Sequence, residues 1–161
     1  MSYVFDTNSI SNLRFIFQSN FKQFWRDMQN LVNREKIIST REVKNELDVK
    51  FDKNKHKDMQ MKKWINKNKD IFLTPTLEET VFVQKILSYR KFKGILEVKK
   101  FLQGSYFADP FIIALAKVKN ACVVTEEEKK DFSVSIPNIC EEFRIECTNF
   151  EGFMDKEKLE Y

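Results

Sequence analysis

The sequence predicts an α/β fold built on a short, mostly parallel sheet flanked by helices. Short apolar runs, among them "YVF", "KIIS" and "ACVVT", are each too brief for a helix and read as strands. Between them, apolar residues recur at helical spacing, and the resulting order of strand, helices, strand, helix, strand is that of α/β proteins. At 161 residues the chain has the size of one domain, and we expect residues 1–161 to form one, with no repeat and no dividing linker.

Each element has a local reason. "YVFD" is an apolar run that ends on Asp6. Phe21, Phe24, Trp25, Met28, Leu31 and Val32 then give a helix with one apolar face. "KIIS" is the next strand, followed by a helix that Ser39 is placed to cap, with Glu42 three residues on to complete a capping box. Val43 and Leu47 give that helix its apolar side. Met59, Met61, Trp64 and Ile65 lie among lysines and predict a helix with one basic face. "DIFLTP" is a brief extended segment stopped by Pro75, and helices are expected from Thr76 to about Leu102, broken near Gly94. "ADPFIIALAKVKN" carries a helix start in Asp109 and Pro110. "ACVVT" is a buried strand, Pro137 opens a short helix, and "RIECT" is a late strand.

Composition excludes several classes. Only three Gly and three Pro accompany 16 Phe, a balance that suits a packed core and not a disordered chain. No signal peptide and no apolar run of membrane-spanning length is read, so the expectation is a cytoplasmic protein with no membrane association. Cys122, Cys140 and Cys147 lack metal-ligand spacing and are expected to be reduced thiols. His56, the only histidine, stands in "KNKHKD" and reads as a solvated side chain, which leaves no zinc site of histidines. Phosphate-binding glycine motifs are absent. Residues 50–70 and 85–100 each carry a net +5, whereas residues 126–161 carry −6. A basic middle of this kind suits phosphates, although lysine-rich helices are more often simply solvated.

Four acids stand next to apolar elements: Asp6 after the first strand, Glu46 in the helix after "KIIS", Asp109 at a helix start, and the Glu126/Glu127 pair after "ACVVT". Taken singly, Asp6 and Asp109 are helix caps and "EEE" is a solvated turn. Glu46 has no such local role. In an open α/β sheet, functional groups gather beyond the carboxyl ends of the strands, which puts Asp6 and Glu126/Glu127 at one edge. A helix start is expected at the opposite edge, so geometry alone leaves Asp109 apart. Clustered carboxylates repel one another and raise each other's pKa unless a cation joins them. A hard ion such as Mg²⁺ takes one or two of them directly and the rest through water, and can activate a water against a phosphodiester.

In order, "VFDTNSI", "STREVKNEL", "ADPFIIALAK" and "VVTEEE" resemble the PIN-domain nucleases, in particular a bacterial PIN-like family close to the toxin subunits of type II toxin–antitoxin pairs. "SIPNICEEFRIECTNFEGFM" is similar to that family's ending. The resemblance spans nearly the whole chain and implies a PIN-like three-layer sandwich. It also implies a metal-dependent endoribonuclease using Mg²⁺ or Mn²⁺, with RNA as substrate and a cognate antitoxin as partner. The acids it implies are Asp6, Glu46, Asp109 and Glu127, with Asp6 and Asp109 on the metal and Glu46 and Glu127 acting through water. Glu126 is the substitute for Glu127, because a Glu stands where the family often has Asp. Asn8, with Ser9 second to it, and Thr125 are implied to hold the acids by hydrogen bonds. The alternative is a PIN-like module that binds RNA or protein without catalysis. An apolar-faced early helix suggests a homodimer.

Overall fold

The computed structural model describes residues 1–52, 58–93, 107–131 and 133–160. Five strands form one sheet: β1 (Tyr3–Phe5), β2 (Ile37–Thr40), β3 (Phe72–Leu73), β4 (Cys122–Val124) and β5 (Cys147–Thr148). Their order across the sheet is β3-β2-β1-β4-β5, and every neighbouring pair is parallel. Among the described residues the helices are α1 (Thr7–Asn12), α2 (Lys22–Asn33), α3 (Arg41–Asp52), α4 (Met59–Lys67), α5 (Leu77–Ser88), α6 (Asp109–Lys119), α7 (Ile136–Glu142) and α8 (Phe150–Glu157). This is the PIN-like α/β architecture: a parallel sheet layered between helices.

The central strand explains the layering. Tyr3, Val4 and Phe5 are all buried, as a strand covered on both faces requires. Alternate side chains point to opposite faces, so Tyr3 and Phe5 share one. There the rings of Tyr3 and Phe5 meet Phe153 edge-on at 4.9 and 5.0 Å, and Phe150 of α8 bridges to Phe24 of α2. The apolar face of α2, with Phe24, Trp25, Met28 and Leu31 buried, is therefore taken up inside the chain. It cannot be the dimer surface that its sequence suggested. Helix α6, buried from Ile112 to Ala116, packs against β1, β2 and β4, and α5 packs against α6.

Several local expectations shift. The second strand runs through Thr40, so Ser39 lies inside it and donates its hydroxyl to the Phe5 carbonyl of β1 at 2.7 Å. Thr40 takes the capping position, accepting from the Val43 N–H at 3.3 Å, and Glu42 pairs with Arg41 at 3.0 Å. The capping box expected at Ser39 is thus absent, because the sheet claims the serine. A capping box does form at Thr76 and Glu79, where α5 follows Pro75. Helix α6 begins at Asp109 itself, with Ala108 as the flanking residue. His56 and the helical stretch expected beyond Gly94 lie outside the described residues. The three cysteines are free, with Cys122 and Cys140 buried. No helix among the described residues is long and apolar enough to cross a membrane.

Candidate active site

Parallel strands end together, so β1 and β4 deliver Asp6 and the residues after Val124 to one edge. The Asp6 N–H still donates to the Val124 carbonyl at 3.0 Å, which carries the β1/β4 pairing one residue past the strand. Asp6 then turns the chain into α1 as its cap: one carboxylate oxygen accepts from the Ser9 N–H at 2.6 Å. The other accepts from the Thr125 hydroxyl at 2.6 Å. The capping role read for Asp6 alone and the role in an acidic pocket are therefore filled by the same side chain.

Asp109 reaches the same edge for a reason that corrects the expectation. Helix α6 ends at Lys119 and is closed by Asn120, in left-handed conformation, just before β4 starts at Cys122. Its C-terminus must lie at the amino edge of the sheet, and 11 residues rise about 16 Å back toward the carboxyl edge. A helix that precedes a parallel strand runs antiparallel to it. Its start therefore stands beside the strand ends, not opposite them.

Asp6, Glu46, Asp109 and Glu127 line one cavity of about 310 Å³, together with Thr7, Asn8, Val49 and Lys50. Glu46 is held from two sides, by the Thr7 hydroxyl and by the Ala108 N–H at 3.0 Å, which ties α1, α3 and the start of α6 together. Glu127 accepts from the Ile136 N–H at 2.7 Å, and its own N–H donates to Thr125 Oγ1 at 3.1 Å. Thr125 thus links two of the acids. Glu126 is exposed and accepts from the Phe150 N–H at 2.8 Å, at the start of α8. Of the pair, Glu127 is the one that lines the cavity.

Asn8 also lines the cavity, but its Oδ1 accepts from Lys50 Nζ at 3.4 Å, and no hydrogen bond joins it to Asp6. Ser9 supplies that bond, because the backbone N–H three residues after a cap is the one that points at it. Lys50 is the residue the sequence did not single out. It lies one helical turn after Glu46, donates to Ser11 Oγ at 2.8 Å, and faces the cavity. Burial lowers its pKa first, and Arg14 second, against the pull of Asp6 and Glu46.

The electrostatics suit a cation. Burial pushes the Asp6 carboxyl up to about 6, the hydrogen bonds from Thr125 and Ser9 oppose that, and the charge of Asp109 adds to it. Among the described residues no three acids are drawn together as a finished coordination shell. Among the described residues the cavity offers the oxygens of four carboxylates, the Thr7 hydroxyl and the Asn8 amide, beside the Lys50 ammonium, and no sulfur or imidazole. That oxygen set fits a hard divalent ion keeping several waters.

A family model described as "Domain of unknown function (DUF4411)" matches residues 3–161. No curated protein matches the chain. Among solved structures, the chain is similar to VapBC2 from Rickettsia felis, determined bound to a DNA fragment from their promoter. The TM-score is 0.55 at 17% identity, over 92% of this chain and 98% of that one. At that identity the likeness speaks for the PIN-like fold.

Proposed function

We propose that this chain, which belongs to the DUF4411 family, is a divalent-metal-dependent endoribonuclease and the toxin of a toxin–antitoxin pair acting in the cytoplasm. The observation that carries the reading is the convergence of Asp6, Glu46, Asp109 and Glu127 on one cavity at the carboxyl edge of a parallel sheet.

Asp6 and Asp109, both buried, would hold Mg²⁺ or Mn²⁺ directly. Glu46, tied to Thr7 and to the Ala108 N–H, and Glu127, tied to the Ile136 N–H, would act through water, as the resemblance to PIN nucleases implies. When bound, the ion supplies an activated water and neutralises charge on the leaving oxygen of the phosphodiester. Thr125 and Ser9 keep Asp6 ionised and in place. Lys50, at the rim beside Asn8, orients a phosphate oxygen of the RNA. The four acids alone would repel a polyanion, and a cation on the same helix as Glu46 offsets that at the point of entry.

An antitoxin partner is supported by the likeness to VapBC2 and by apolar surface beside the site, where Val49 of the cavity wall is 40% exposed. A homodimer is supported by Leu77 and Val81, one turn apart on α5 and 81% and 63% exposed.

The test is incubation of the purified protein with labelled structured and unstructured RNAs, with and without Mg²⁺ or Mn²⁺, beside Asp6→Asn and Asp109→Asn. Metal-dependent cleavage by the wild type, lost in both variants, is the expected result. Equal cleavage by all three would refute the site. Metal-independent binding with no cleavage by any of them would favour the non-catalytic module.

A further inference from the structure

Away from the acids, helices α2 and α4 enclose a second concavity of about 390 Å³. Lys22 and Arg26 line it from α2, Lys63 and Lys67 from α4, and the rings of Trp25 and Trp64 form its floor, 6.1 Å apart. The remaining lining residues are Gln18 and Gln29, so no carboxylate of the described residues faces it. None of the four cations takes part in an ion pair among the described residues. Arg26 bonds only to the neutral Gln23 side chain, at 2.7 Å, and the nearby Asp27 is engaged by Gln23.

We infer that this α2/α4 groove binds the sugar–phosphate backbone of the RNA substrate at a distance from the cut bond; the inference rests on the ribonuclease reading above. Lysine-rich helices are commonly just solvated, but a solvated face spreads its charges. Here two pairs, Lys22 with Arg26 and Lys63 with Lys67, each sit four residues apart and converge from separate helices on one hollow. Like charges at that spacing destabilise a helix, and an anion between them relieves both pairs. Lys67 also borders a neighbouring cavity that holds Glu35 and Asp70, so Lys22, Arg26 and Lys63 are the purer markers.

The floor tells which part of a nucleic acid fits. Trp25 and Trp64 are 8% and 4% exposed and packed edge to face, so neither offers a free ring for a base to stack on. The Trp25 indole N–H donates to the Ile16 carbonyl at 2.9 Å, whereas the buried Trp64 indole N–H has no partner among the described residues. The groove therefore presents four cations and no free ring for stacking, so recognition there is chiefly of phosphate and little dependent on sequence.

The groove also joins the site along the chain. Ser11 accepts from Lys50 at the cavity rim, Arg14 follows with its guanidinium 4.7 Å from the Phe15 ring centre, and Gln18 lines the groove. The Ile16 carbonyl accepts from both α2 and α4, through Trp25 and Gln60, and fixes this connection against the two helices. Lys50 is thus the cation on the acids' side of this connection, whereas Arg14, further along it, is already paired with Asp58 at 3.8 Å.

The test uses the full chain carrying Asp6→Asn, with chelator present, so that binding is read whether or not RNA is ever cut. Fluorescence anisotropy of a labelled unstructured RNA is followed against salt, with and without Lys22→Gln, Arg26→Gln and Lys63→Gln combined. All three positions are exposed, and an unchanged thermal unfolding curve shows that the fold is kept. The expected result is a fall in the salt slope of about two and an affinity loss between about tenfold and 100-fold at moderate salt, alike for several RNA sequences. In the Asp6-intact protein, cleavage of a dinucleotide too short to reach the groove stays as in the wild type. An unchanged slope and affinity overturns the inference. So does loss of polyglutamate binding with RNA binding intact, which would assign the groove to an acidic protein segment. Failure of the ribonuclease reading gives a different pattern, namely no cleavage of any RNA with the groove-dependent binding retained.

Discussion

Asp6→Asn separates the charge of the buried acid from its shape. Asp6 is 3% exposed, and burial together with Asp109 lifts its carboxyl from an ordinary 3.8 to about 6 despite the bonds from Thr125 and Ser9. The folded chain then holds more protons than the unfolded chain between those two values. Stability falls as pH rises through that window, and the full penalty is present above about pH 6. At about 1.4 kcal/mol per pH unit, the gap corresponds to about 3 kcal/mol. Asparagine keeps the shape and caps a helix as well as aspartate does, and the Thr125 hydroxyl can turn to accept from its amide. The variant should therefore be more stable than the wild type at about pH 8 without divalent metal, by up to about 3 kcal/mol, with the difference shrinking toward about pH 4. Urea unfolding at several pH values with chelator measures this. Adding Mg²⁺ or Mn²⁺ should raise the wild type and leave the variant unmoved, because only an ion that binds the folded state adds stability. A destabilised variant whose deficit is the same at every pH would refute the reasoning.

Other substitutions read separate parts of the site. Thr125→Val removes the 2.6 Å hydrogen bond to Asp6 with little change of shape, so a carboxyl NMR titration should place Asp6 still higher than about 6. Its metal affinity should fall about tenfold to 100-fold, as is common when a ligand loses its supporting bond. Glu127→Gln should reduce RNA cleavage by a similar factor, whereas Glu126→Gln should leave cleavage near wild type, since Glu126 bonds to the start of α8. Gly152→Ala should destabilise the chain by about 1–3 kcal/mol in urea unfolding. A Cβ there would stand 2.3 Å from Thr148 Oγ1 and 3.2 Å from Asn149 Oδ1, the atom that caps α8.

The order of the strands and of the longer helices was readable from short apolar runs and from apolar residues at helical spacing, whereas α1, the segment TNSISN, has a single apolar residue and no period to read. The ends of elements were less readable. Ser39 and Thr40 are both able to cap, and only the Phe5 carbonyl across the sheet decides that Ser39 belongs to the strand. The same spacing at Thr76 and Glu79, just after Pro75, forms the box that Ser39 and Glu42 do not. Geometry alone leaves Asp109 apart, because a helix start is taken as opposite to strand ends; antiparallel packing of α6 on β4 puts it beside them, in the cavity with the acids that the resemblance groups it with. Lys50 was hidden by composition, one lysine in a run of eight. Its position one turn from Glu46 was the available signal. The basic groove was beyond reach, because Lys22 and Lys63 are 41 residues apart and tertiary contacts, among them Trp25 on Trp64 and both helices on the Ile16 carbonyl, bring their helices together.

The central claim is that these carboxylates form one divalent-ion site, and calorimetric titration of Mn²⁺ into the wild type, Asp6→Asn and Asp109→Asn tests it most directly. The account predicts a single site in the wild type, weakened as pH falls below about 6 and lost in both variants. Equal Mn²⁺ binding by all three proteins would contradict it.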